Sequence, residues 1–192
     1  MNRFLKLAIV GLVASCGGGG NYKAPRNLEN ACLLAAERPA YYRAMQSTQK
    51  RWGIPIYVQM ATIHQESKFI GDAKTPHRYA LGIIPMGRQS SAYGYSQALD
   101  GTWDDYRRKT GNRGAKRDNI RDATDFMGWY MNDTTRILGI SKQDAASQYL
   151  AYHEGRSGFN NGSHRSKPWL MSVANKVGAR SELYRMQLTA CR

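Results

Sequence analysis

Between residues 119 and 138, Ile120, Thr124, Met127, Met131 and Leu138 recur at spacings of three, four and seven. That places them on one face of a helix of more than five turns, long enough to serve as the spine of a domain. The rest of the chain has to pack around it, and much of the rest is written in the same period. Residues 28–37 form a short apolar-rich segment. Pro39 can open a helix that runs to Trp52, and Gly53 can close it. Residues 54–70 carry the stripe Ile56, Met60, Ile63, Ser67 and Ile70, and Gly71-Asp72 ends them. Residues 95–109 look helical. Ser141, with Asp144 three residues on, caps a helix to about His153. A glycine-rich loop follows at 155–162. Pro168 starts a last helix with Val173, Val177, Tyr184, Leu188 and Cys191 on its inner face. Residues 72–94 break the pattern with Pro76, Gly82, Pro85, Gly87 and Gly94, which predicts loops and a small β-hairpin near 80–84. The expected class is mainly α with irregular insertions.

The beginning of the chain reads as an address. Residues 1–16 are MNRFLKLAIVGLVASC: a short basic start with Arg3 and Lys6, then an apolar run too short to span a bilayer. Its end, Val13-Ala14-Ser15-Cys16, resembles the bacterial lipobox. That resemblance implies cleavage before Cys16, lipidation of its thiol, and membrane anchoring through several acyl chains. Gly17 to Gly20 and the polar stretch up to Asn27 suit a flexible tether. The organisation expected is therefore a signal peptide at 1–15, a lipidated cysteine and tether at 16–27, and one domain over 28–192. Position 17 lacks the aspartate that often retains such proteins in the inner membrane, so the outer membrane, facing the periplasm, is the expected site. With Cys16 lipidated, Cys32 and Cys191 remain at the two ends of the domain, and an oxidising compartment pairs them.

Lys and Arg number 28 against 14 Asp and Glu, a formal charge of +14. Such a field favours polyanionic partners without choosing among nucleic acid, anionic lipid and cell wall. The basic stretch Arg107, Arg108, Lys109, Arg113, Lys116 and Arg117 could suit nucleic acid, but export argues against it. The four histidines fall in no ligand motif: His64 and Glu66 are two apart and do not share a helix face. No metal and no cofactor is expected. The tetraglycine lacks the preceding strand and following Gly-Lys-Ser/Thr of a phosphate loop. A monomer is expected.

Glu66 is the residue with the most chemical promise. At 100° per residue it falls at the border of the apolar stripe, beside Ile63 and Ile70. A carboxyl there loses part of its hydration, which raises its pKa and suits it to hold a proton near neutrality. Three blocks then resemble, in order, the lytic transglycosylase and goose-type lysozyme group. They are Ala61-Thr62-Ile63-His64-Gln65-Glu66-Ser67-Lys68-Phe69, Ala92-Tyr93-Gly94-Tyr95-Ser96-Gln97-Ala98-Leu99 and Ala151-Tyr152-His153-Glu154-Gly155. They resemble the family's catalytic Glu-Ser block, its Gly-x-x-Gln block that lines the glycan cleft, and its Ala-Tyr-Asn-Ala-Gly block. The third departs from the pattern: His153 stands for the asparagine and Glu154 for the alanine, so the asparagine's role cannot be carried over.

The resemblance implies a lysozyme-like fold and cleavage of peptidoglycan glycan strands between muramoyl and N-acetylglucosamine units, with Glu66 as the catalytic acid. It implies substrate-binding roles for Gln97 and Tyr152, and for Ser67 a role in holding the substrate or the acid. Tyr93 and Tyr95 offer flat faces to sugar rings, or simply pack. If the substrate's own C6 hydroxyl is the nucleophile, one carboxylate suffices and the product is a 1,6-anhydro sugar. Two alternatives stay open. A hydrolase on the same fold would use water and a second carboxylate, Glu154 or Asp125. A cell-wall-binding lipoprotein would have kept the cleft without turnover.

Overall fold

A computed structural model describes residues 22–81 and 83–191. The expected signal peptide, Cys16 and the tetraglycine lie outside the described residues. Seven helices are described: α1 (Ala31–Glu37), α2 (Pro39–Trp52), α3 (Ile56–Ser67), α4 (Asp100–Thr110), α5 (Ile120–Leu138), α6 (Ala145–Asn160) and α7 (Pro168–Ala190). Between α3 and α4 lies an antiparallel hairpin, β1 (His77–Ala80) and β2 (Ile84–Arg88), with Ala80 opposite Ile84. A 3₁₀ turn, Ser163–Ser166, joins α6 to α7. The class is mainly α, as the helical periods require.

Helix ends follow local chemistry. The Asn30 side chain accepts from the Leu33 amide at the start of α1, and Asn119 accepts from Arg121 and Asp122 at the start of α5. Pro39 opens α2, and Gly53 ends it at φ 74°. The cap of α6 is Asp144, which accepts from the Ser147 amide, whereas Ser141 serves only a local turn to Gln143. Nor does α6 stop near His153. Gly155, at φ 74° and ψ 156°, kinks it, and helical structure resumes to Asn160.

α3 is the axis of the molecule, touching α2, α5, α6 and α7. Its expected single stripe is too narrow a description. Val58, Gln59, Ala61, Thr62 and His64 are buried along with Ile56, Met60 and Ile63, as in a helix enclosed on nearly every side. It also ends early. Lys68 (φ 52°) and Phe69 (φ 61°) take left-handed backbone, which puts Ile70 outside the helix and half in solvent. The strain is offset by burying Phe69 completely against the Tyr41 ring at 6.0 Å.

The main core gathers around α3, with Met127, Met131, Leu170 and Tyr184 among its members. A second, aromatic cluster of Trp103, Tyr106, Phe126, Trp129 and Tyr130 binds α4 to α5, and Trp52 and Tyr152 touch both. On α7 the buried positions are Leu170, Ala174, Val177, Ser181 and Tyr184; Val173 and Leu188 pack at the margin. Cys191 is exposed rather than buried, yet it bonds Cys32 across a separation of 159 residues, with 5.6 Å between Cα atoms. The ends of the domain are stapled as expected.

Helix α4 begins at Asp100, not near Tyr95. Residues 93–98 are held instead by bridges from Tyr93 to Lys74 and to Ala98. Gly94 sits at the crossing of two loops at φ 79°, and a Cβ there would lie 2.2 Å from the Arg117 carbonyl oxygen. Gly94→Ala is therefore expected to lower stability by about 2–4 kcal/mol, combining a left-handed backbone with a backbone clash. Urea unfolding checks this; a midpoint equal to wild type would show that the two loops can part without cost.

Candidate active site

Glu66 lies in the last turn of α3, where α6 crosses it. Burial pushes its carboxyl from the usual 4.5 up to about 7, opposed more weakly by a hydrogen bond from the Tyr149 hydroxyl. The residue as a whole is only half-buried. Tyr149 is otherwise buried, and both its own burial and the Glu66 charge push its pKa up, so it remains a neutral donor. Tyr152, one turn further along α6, also lies close enough to feel the Glu66 charge. Its hydroxyl donates to the Ser96 carbonyl at 2.6 Å, and its ring meets Tyr130 edge-on at 5.2 Å. The first and third sequence blocks thus converge on one carboxyl, and the second supplies the backbone that holds Tyr152.

The other expected residues divide. Ser67 is buried, and its hydroxyl donates to the Tyr95 carbonyl at 2.8 Å. It ties α3 to the loop and has no free face for a sugar. Tyr95 turns inward, with its hydroxyl 2.7 Å from that of Tyr41, and is core rather than a sugar platform. Gln97, at φ 48°, spends its amide N–H groups on the Ala73 and Gly94 carbonyls at 3.0 and 2.9 Å. Its main work is to set the loop; only the side-chain oxygen remains to accept. Tyr93 is half-buried and directs its hydroxyl to Asp118 at 3.4 Å. The Lys74 and Arg117 cations lie 5.4 and 5.5 Å from its ring centre.

The departures in the third block have a structural role. Glu154 accepts from Lys167 at 2.8 Å and from Ser163 and His153, and these donors, Lys167 foremost, hold its carboxyl down at about 2. It clamps α6 to the turn before α7. His153 is exposed and stands edge-on to the exposed ring of Trp169 at 5.3 Å. Asp125 is committed as well, accepting from Arg51, Trp52 and Tyr106 at 2.7–2.9 Å. In the basic stretch, Arg107, Arg108 and Arg117 pair with Asp104, Asp105 and Asp100. Sequence reasoning missed Tyr149, although its place three residues before Tyr152 on one helix face was signal enough.

No curated protein matches the chain. A family model described as Transglycosylase SLT domain matches residues 4–191, nearly the whole sequence. With the three blocks gathered on a mainly helical domain, the chain belongs to the transglycosylase SLT domain family.

Proposed function

We propose that this domain cleaves the β-1,4 bond between muramoyl and N-acetylglucosamine units of peptidoglycan, with Glu66 as its single catalytic carboxyl. The observation that carries this reading is a half-buried carboxyl whose pKa burial raises from 4.5 to about 7, so that a large share of it keeps its proton at neutrality. Glu66 gives that proton to the glycosidic oxygen as the C1–O bond breaks. As a carboxylate it then takes the proton of the muramoyl C6 hydroxyl, whose oxygen bonds C1. The products are a free 4-hydroxyl on one fragment and a 1,6-anhydro end on the other, and Glu66 is protonated again.

The hydrolytic alternative needs a second carboxylate near the reacting carbon. Both candidates that the sequence offered are engaged elsewhere: Glu154 with Lys167, and Asp125 with Arg51, Trp52 and Tyr106. This favours the intramolecular nucleophile. Digestion of sacculi in heavy-oxygen water is expected to give muropeptides with 1,6-anhydro ends and no incorporated label. Labelled reducing ends would overturn this in favour of hydrolysis, and no release by the pure protein would favour a cell-wall-binding role. The same proposal keeps Cys16 as a lipid anchor holding the domain at the periplasmic face of the outer membrane.

A further inference from the structure

On the side of α3 away from Glu66, a groove of about 500 Å³ runs between α3 and α7. At 100° per residue, the face carrying Ala61, His64 and Gln65 points about 150° from Glu66, so the groove is no part of the catalytic cleft. Lys68 stands on one wall. Lys176 and Arg180, four apart on one face of α7, stand on the other. Glu29 pairs with Arg180 at 2.7 Å, reaches His64 at 3.7 Å and lies within the field of Lys68. Lys68 lies 3.4 Å from the His64 ring and feels the Glu29 and Arg180 charges, and neither Lys68 nor Lys176 makes an ion pair within 4 Å among the described residues. His64 does not add to the positive charge, since burial, with Lys68 and Arg180 beside it, lowers its pKa to about 4. A buried neutral imidazole therefore sits among cations that outnumber the local acid.

We propose that this groove is a second binding site, which takes the acidic stem peptide of peptidoglycan. The floor is partly aliphatic, with Ala61, Val177 and Leu183. A hydrated phosphate would leave such a floor unused. A short peptide of alanine and diamino-acid residues carries methyl and methylene groups for it, together with carboxylates for Lys68 and Lys176. The volume lies in the range of small-ligand sites. The choice of peptide rests on the proposed action on peptidoglycan. Holding a stem on the back of α3 would keep the enzyme on the sacculus while the opposite face works on a glycan strand.

The test is titration of the Glu66→Gln protein with a synthetic tripeptide stem, followed by backbone amide shifts. Shifts are expected at Gln65, Lys68, Lys176 and Arg180, and Lys176→Glu, at an exposed and unpaired position, should weaken binding by about tenfold or more. In the catalytically intact protein, Lys176→Glu should slow release from peptide-bearing sacculi and leave turnover of peptide-free glycan unchanged. Absence of shifts at these amides, or equal binding by Lys176→Glu, overturns the proposal. Inorganic phosphate giving the same shifts at the same concentration would reduce the groove to a general anion site and overturn the peptide assignment. Should Glu66 prove not to be the acid, the binding readout is unaffected, so the two failures are separable.

Discussion

Glu66→Gln is expected to reduce muropeptide release from purified sacculi by at least about a hundredfold while the fold is kept, the range over which general acid–base groups act. The amide matches the carboxyl in shape and can still accept from Tyr149, but it has no acidic proton to give. Retention of more than about a tenth of wild-type activity, against that range, would show that another group is the acid. The same substitution should change stability with a definite sign. In the fold the carboxyl titrates near 7, against 4.5 as the ordinary value. A raised carboxyl makes ionisation costlier in the folded than in the unfolded chain, so wild-type stability falls as pH rises from about 4.5 through 7. Glu66→Gln removes that cost. It should raise the melting temperature at pH 8, by an amount worth about 1–3 kcal/mol, and leave it unchanged at pH 4. An equal melting temperature at pH 8 would mean that Glu66 ionises freely in the fold. Wild-type activity should decline above about pH 7 as the donor loses its proton.

Replacing Cys32 with serine is expected to be the costliest single change to the scaffold. The Cys32–Cys191 bond closes nearly the whole domain into one loop, its ends 159 positions apart. Chain-entropy reasoning puts the lost stabilisation at about 5 kcal/mol, comparable to the whole folding free energy of a modest domain. Around the staple, Ala31 and Leu34 of α1 are buried in the main core, the Gln187 side-chain oxygen accepts from the Ala31 amide at 2.8 Å, and its amide donates to the Glu29 carbonyl at 3.0 Å. They can keep α1 near α7 but do not replace a covalent closure. Urea unfolding of Cys32→Ser beside the oxidised wild type measures the difference. A midpoint within experimental error of wild type would show that the two termini are held by packing alone.

How far local rules reach is clearest at the helix ends. Pro39, Gly53, Asn119 and Pro168 start or stop elements where steric limits and unpaired amides require. These effects act within a turn of the chain, so they can be read without the fold. The cysteine pairing was equally legible, because once Cys16 is set aside as the expected lipid site the two remaining thiols leave a single partition. Glu66 stood out as the candidate acid through its block, since the carboxyl comes with its flanking residues. Its raised pKa could not be read from α3 alone, because the burial that causes it comes from the elements packed around that helix. Residues 93–98 show the limit. Gln97 read as a cleft residue and Tyr93 and Tyr95 as sugar platforms or packing; in the fold Tyr95 turns to Tyr41, Gln97 to Ala73 and Tyr93 to Asp118. In a segment without regular structure no period assigns a side chain to a face, and each takes the partner that distant segments bring. Glu154 makes the same point for charge. Whether a carboxylate acts on substrate or clamps a helix depends on where Lys167 and Ser163 arrive, after the chain has kinked at Gly155 and turned back.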